Sequence, residues 1–161
     1  TVWLSATARM SQRPLVTIPP GLWLIQPMTC IAGCCNMPEL TLAPQRLCAS
    51  ADLQEGGQAV LFNVLEAGRV APAFAVRFDA VAVAYLNRCA HVPVEMDWQP
   101  GQFWNMDKRF IICSIHGALY DPSRGGCVQG PCRGARLIGI PLTEEDGQVY
   151  WYPSERFQPV L

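Results

Sequence analysis

The chain holds only two histidines among its 161 residues, and each has a cysteine just ahead of it. The first pair is Cys89-Ala90-His91 and the second is Cys113-Ser114-Ile115-His116. With 8 cysteines in 161 positions, cysteine at two prescribed places has odds of about one in 400. Thiolate and imidazole are the donors that hold zinc and iron, so Cys89, His91, Cys113 and His116 form a candidate metal centre. A structural zinc site is one use of such a set. A zinc finger wants C-x2–4-C followed by H-x3–5-H. Here the order is Cys-His-Cys-His, with residues 92–112 between the halves.

Two loops far apart in sequence must then be held side by side, and the rest of the chain predicts how. Half of it (50%) is hydrophobic, 16% is charged, and Pro (14) and Gly (13) are frequent. That mixture suits short strands joined by many turns. Gln58–Val64 is an apolar run after the turn Glu55-Gly56-Gly57. Ala73–Arg77 and Val81–Leu86 read as a hairpin across Asp79, and the first Cys-His pair follows it directly. Phe110–Cys113 ends on the second Cys, and Leu119-Tyr120 leads into the turn Asp121-Pro122-Ser123. Leu137–Leu142 and Gln148–Tyr152 flank a solvated loop, Thr143–Gly147. No stretch predicts a long amphipathic helix, and no internal repeat stands out. The expectation is one all-β, antiparallel domain, with Trp98 and Trp104 packed beneath the ligand loops.

Residues 1–36 differ from the rest. Thr1–Gln26 carries no Asp or Glu, and Pro14, Pro19, Pro20 and Pro27 break any helix beyond about two turns. Leu15–Cys35 is too interrupted for a membrane span. Ile31-Ala32-Gly33-Cys34 has the form of a bacterial lipoprotein cleavage box, but prolines spoil the apolar region before it. We expect a poorly structured extension over 1–36, or sequence upstream of a start at Met37, and the functional domain over 37–161. The formal net charge of −1 argues against non-specific nucleic-acid binding, which needs a basic footprint.

The pattern C-x-H, spacer, C-x-x-H resembles the Rieske [2Fe–2S] family, and the resemblance extends over roughly residues 40–152. It implies an antiparallel β sandwich of two stacked sheets with the cluster-binding loops at one tip, and one [2Fe–2S] cluster per chain. Cys89 and Cys113 would bind one iron through thiolates, and His91 and His116 the other through imidazole nitrogens. With neutral imidazoles the oxidised centre is neutral overall, so it accepts an electron more readily than an all-Cys centre. The resemblance also gives roles to neighbours. Gly117 would adopt a positive φ that turns backbone N–H groups towards sulfur. Gly130-Pro131 would form a short lid over the cluster. The Tyr120 hydroxyl would bond a ligand sulfur.

Respiratory-complex relatives carry an extra cysteine in each ligand loop and a serine two residues after the second histidine. Those places hold Val94, Ile115 and Ala118 here. Fewer hydrogen bonds to sulfur favour a lower potential, roughly −150 to +50 mV.

Cys127 and Cys132 flank the lid and read as free, small apolar side chains, with a disulfide across the loop as the alternative. Cys30, Cys34, Cys35 and Cys48 read as free thiols, and the pairing of two other cysteines with the only two histidines reads as metal ligation, which suits a reducing compartment. Arg88, Arg124, Arg133 and Arg136 would form a basic rim for an acidic partner, or else mark solvated strand ends.

A ring-hydroxylating oxygenase needs further histidines for a mononuclear iron, and both histidines are already committed. A respiratory subunit needs a membrane anchor and the loop disulfide. The remaining expectation is a cytoplasmic ferredoxin with no substrate pocket and no catalytic residues of its own. It would take an electron from a reductase and deliver it to an oxygenase or similar partner. The alternatives are a reductase small subunit of the nitrite-reductase type and a zinc-bound module.

Overall fold

The computed structural model describes residues 43–160. Their strands run β1 Gln45–Ala49, β2 Val60–Glu66, β3 Arg69–Phe78, β4 Val81–Leu86, β5 Ile111–Ile112, β6 Leu119–Tyr120, β7 Cys127–Gln129, β8 Gly139–Ile140, β9 Leu142–Glu145, β10 Gln148–Trp151 and β11 Phe157–Pro159. The one helical element among the described residues is a 3-10 turn at Ser50–Asp52. All strand pairs in the sheets are antiparallel. The all-β expectation holds, with the strands divided into three sheets. One is ordered β1-β10-β9, one β11-β2-β3-β4-β8, and one β5-β6-β7. The last small sheet carries the second Cys-His pair and the lid.

Three hairpins close through two-residue turns with positive φ at both central residues: Ala67-Gly68, Asp79-Ala80 and Asp146-Gly147. That geometry matches the right-handed twist of the flanking strands. The Asp79 hairpin falls where the sequence predicts it. The loop expected over Thr143–Gly147 is shorter. Thr143, Glu144 and Glu145 lie in β9, paired with Tyr150, Val149 and Gln148. A two-residue Asp-Gly turn needs no further loop, so the acidic residues continue the strand, both exposed, with Glu144 reaching Arg77 of β3.

Strand β3 explains how two cores are organised. Ala73, Phe74, Ala75 and Val76 are all buried, and side chains alternate between faces with period 2. Phe74 and Val76 face a core that includes Tyr85, Met96, Phe103, Ile111 and both candidate cysteines, Cys89 and Cys113. Ala71, Ala73 and Ala75 face the other core, with Val64, Leu86, Val149, Trp151 and Phe157. The Phe74 and Phe103 rings stack with centroids 3.7 Å apart, pinning the segment between the two Cys-His pairs onto β3.

Trp104 meets its expectation in part: it is half-buried against the ligand-bearing core and its indole N–H donates to Gly57 O at 2.8 Å. Trp98 does not, being 78% exposed. The loop that carries it turns outward at Asp97, whose carboxylate takes the Gly101 N–H and the Asn87 amide instead. Cys48 is a buried free thiol, as expected. The expectations for residues 1–36, including Cys30, Cys34, Cys35 and the cleavage-box sequence, lie outside the described residues. No helix among the described residues is long and apolar enough to cross a membrane.

Candidate metal centre

The first candidate loop leaves the end of β4. Asn87 is buried, its N–H bonds Pro72 O, and its side chain spans the loop's two ends. Its Nδ2 donates to Asp97 Oδ1 at 2.6 Å, and its Oδ1 accepts the Met96 N–H at 2.8 Å. Sequence reasoning missed this residue. Its only signal is an amide at the end of an apolar strand, which has no diagnostic spacing. Within the loop, Cys89 N–H bonds Val94 O and Val94 N–H bonds Val92 O, forming a tight knuckle around His91.

The second loop is built the same way between β5 and β6. Cys113 N–H bonds Ala118 O, and Gly117 N–H bonds Cys113 O. Gly117 has φ +65°, as the sequence predicts. One bond ties the loops together: Ser114 N–H donates to Met96 O at 2.8 Å.

These knuckles bring the sequence-predicted donors together. Donor atoms of Cys89, His91 and His116 all lie within 4.8 Å of one another. His116 Nδ1 is 3.4 Å from Cys89 Sγ and 3.6 Å from Cys113 Sγ. The two imidazole rings meet edge to face, 4.9 Å between centroids. Both cysteines are buried, His116 is half-buried and His91 is exposed. The donors thus grade from sulfur inside to nitrogen at the surface.

The electrostatics of the two sulfurs differ. Burial raises the Cys89 thiol, but hydrogen bonds from the Tyr120 hydroxyl, His116 and the backbone N–H groups of His91 and Val92 outweigh it, lowering its pKa to about 7. Cys113 is shifted up by burial, against backbone N–H bonds from His116 and Ile115, and by the adjacent Cys89. Each sulfur therefore sits among two backbone N–H groups of its own loop. Tyr120 OH lies 3.2 Å from Cys89 Sγ and accepts the Ala90 N–H at 3.1 Å. Burial, then the neighbouring Cys89 thiol, raises the pKa of Tyr120, so its hydroxyl stays protonated.

The lid departs from expectation in one respect. Cys127 and Cys132 are joined as a disulfide, not free thiols. The tight turn between them brings the Cα atoms to 5.8 Å, within bridging range. Within the bridged loop Gly130 has φ +106°, and a Cβ there would lie 2.8 Å from Ala118 Cα. The lid therefore packs directly on the second ligand loop. Pro131 is exposed beside it. Of the four arginines read as a rim, Arg88 bonds Glu66 at 2.8 Å. Arg124, Arg133 and Arg136 are exposed and pair with no carboxylate among the described residues.

Two buried sulfurs each amid backbone N–H groups, with imidazoles at the surface edge, give this β domain a donor set that fits an iron–sulfur centre. The Rieske [2Fe-2S] domain model matches residues 43–152, and the chain belongs to that family, whose cofactor is a [2Fe–2S] cluster. Comparison with curated protein sequences gives no match. The fold is similar to the ferredoxin of carbazole 1,9a-dioxygenase from Nocardioides aromaticivorans IC177, at 18% identity and TM-score 0.54, covering 70% of this chain and 100% of that one. It is similar to the Sphingomonas yanoikuyae B1 ferredoxin, at 22% identity and TM-score 0.53, covering 70% and 100%. A third similar chain comes from a complex of reduced oxygenase and oxidised ferredoxin in carbazole 1,9a-dioxygenase, at 23% identity and TM-score 0.52, covering 68% and 92%.

Proposed function

We propose that this chain is a one-electron carrier whose cluster is held by Cys89 and Cys113 on one iron and by His91 and His116 on the other. The observation that carries this reading is the gradient from buried sulfur to exposed imidazole, with His116 Nδ1 3.4 Å from Cys89 Sγ and 3.6 Å from Cys113 Sγ and His91 beside them. When bound, a Rieske [2Fe–2S] cluster supplies reversible one-electron oxidation and reduction. The chain's own residues do the rest. Backbone N–H groups of His91, Val92, Ile115 and His116 orient both sulfurs and offset negative charge on them. Tyr120 donates a further hydrogen bond to Cys89. Phe103, Met96 and Ile111 exclude water from the sulfur side.

The histidine edge would be the docking face. Val92 (41% exposed) and Ile115 (47%) stand next to the two histidines, and Val128 (51%) lies on the lid. Arg133 adds an uncompensated charge on the lid. A small apolar patch with a charged edge suits brief docking. The acceptor we infer is an oxygenase or similar enzyme, with a reductase as donor. The ferredoxin–oxygenase complex among the similar folds supports that pairing.

The test is direct. Purified protein should be red-brown, contain iron and acid-labile sulfide in equal amounts, and show an axial Rieske EPR signal once reduced. A colourless protein holding zinc would overturn the reading.

A further inference from the structure

The disulfide beneath the lid has no part in carrying electrons, yet it is placed to control the loops that do. Cys132 is 3% exposed and belongs to the same core as Cys89, Cys113, Ala118 and Tyr120. Cys127 lies in β7, opposite Tyr120 of β6, the residue whose hydroxyl touches Cys89 Sγ. The bridge therefore closes the lid on itself, joining the buried Cys132 to the strand paired with the one that holds a ligand sulfur's hydrogen-bond partner. Besides the bridge, the lid is held by the pairing of β7 with β6, by the Cys127 N–H to Ala135 O bond and by Gly130 against Ala118. Val128, Gln129, Gly130 and Pro131 are all exposed, so burial contributes little to keeping the turn in place. The pairing of β7 with β6 is also irregular at this point, with a register shift between Leu119 and Tyr120.

We propose that Cys127–Cys132 is a latch, opened by a dithiol reductant, that fixes the lid over the ligand loops. The idea rests on the carrier reading for its consequence, but not for the latch itself. Cys127 is the more accessible sulfur and Cys132 the buried one. A thiolate of the reductant attacks Cys127 Sγ and forms a mixed disulfide. The Cys127–Cys132 bond breaks, and Cys132 leaves and takes up a proton. The reductant's second thiol then attacks its own sulfur in the mixed disulfide and releases Cys127 as a thiol. The protein gains two electrons and two protons, and the reductant becomes a disulfide. Opened, the lid loses the cross-link between its two ends, and Gly130 is held on Ala118 by the backbone pairing of β7 alone. In an oxidising compartment the latch stays closed, and in a reducing one it opens.

The experiment uses the full chain as isolated, with and without excess dithiothreitol. Alkylation followed by mass spectrometry counts thiols at Cys127 and Cys132, hydrogen exchange follows the amides of residues 128–134, and visible absorbance follows cluster loss in air. The expected result is two newly alkylated cysteines, lid exchange faster by about tenfold, and cluster loss accelerated several-fold. Cys127→Ser/Cys132→Ser should exchange and lose its cluster at the fast rate with or without dithiothreitol. The proposal is overturned if no thiols appear at those positions, or if lid exchange is the same in both states. It is equally overturned if the double variant still responds to dithiothreitol as the unaltered chain does. A colourless preparation would sink the carrier reading alone, since thiol counts and lid exchange still decide the latch; if the double variant does not fold, the untreated and treated chain decide it.

Discussion

The Tyr120 hydroxyl lies 3.2 Å from Cys89 Sγ while it accepts the Ala90 N–H at 3.1 Å. The second bond fixes the first. With its oxygen occupied as acceptor, the phenol has its proton free for the sulfur. A hydrogen bond to a ligand sulfur stabilises the reduced centre and raises the potential. Tyr120→Phe should therefore lower the midpoint potential. A differential of ~1 kcal/mol corresponds to a shift on the order of 50 mV for one electron. The same change leaves Ala90 N–H without its partner and should cost roughly 1–2 kcal/mol of stability. Protein-film voltammetry beside thermal melts checks both. An unchanged potential would show that the hydroxyl does not reach the sulfur in the loaded protein.

Removing a ligand tests the site as a set. Cys113→Ser replaces a fully buried thiol with a harder donor, and His116→Ala removes the imidazole 3.4 Å from Cys89 Sγ. Each should abolish the axial EPR signal and the visible bands. A Rieske signal that survives in either variant contradicts the four-residue assignment. The midpoint of the unaltered protein should lie between roughly −150 and +50 mV, because Val94, Ile115 and Ala118 supply neither a loop disulfide nor a serine hydroxyl.

What the sequence made legible was whatever local patterning determines. The Cys-x-His and Cys-x-x-His spacings marked Cys89, His91 and His116, whose donor atoms the fold gathers, and Cys113 beside His116, because a knuckle that turns a side chain inward needs few residues and those residues are consecutive. The Ala73–Arg77 and Val81–Leu86 runs marked the central hairpin, because strand alternation and a two-residue turn are both local. Asn87 was hidden, since its role lies in Asp97 and Met96, a loop away. Trp98 misled, since a large aromatic in a loop carries no sign of which way the loop turns. The state of Cys127 and Cys132 could not be decided from composition. It depends on how tightly the lid turns, and that is set by Gly130 packing on Ala118.

Acid should weaken the fold partly through Glu144. Its carboxylate takes two bonds from Arg77, at 2.9 and 3.0 Å, which hold its pKa below the usual carboxylate range. A depressed folded-state pKa means stability that is present above the unfolded value, ~4.3, and is lost as pH falls through the folded value. The pair is partly solvated, so screening limits its worth to about 1 kcal/mol or less. Glu144→Gln should lower stability near neutral pH by that amount, and the difference should vanish in acid. Urea unfolding of both proteins across the acid range measures it. A difference that persists at low pH would mean that Glu144 acts through packing rather than charge.

Gly130 is where the lid, the latch and the second ligand loop meet. Its φ of +106° disfavours any side chain, and a Cβ would lie 2.8 Å from Ala118 Cα, a backbone atom that cannot swing aside. Gly130→Ala should cost about 1–3 kcal/mol through the combined backbone strain and overlap. Because Ala118 O accepts the Cys113 N–H, pushing that residue away should also loosen the second ligand knuckle. Gly134, a few residues on, has φ +82°, and a Cβ there would meet nothing within 4 Å. Gly134→Ala thus isolates the backbone strain and should cost about 1 kcal/mol with no effect on cluster lifetime. Thermal melts and absorbance decay in air separate the two. Equal losses in both variants would mean that the lid does not bear on the ligand loop.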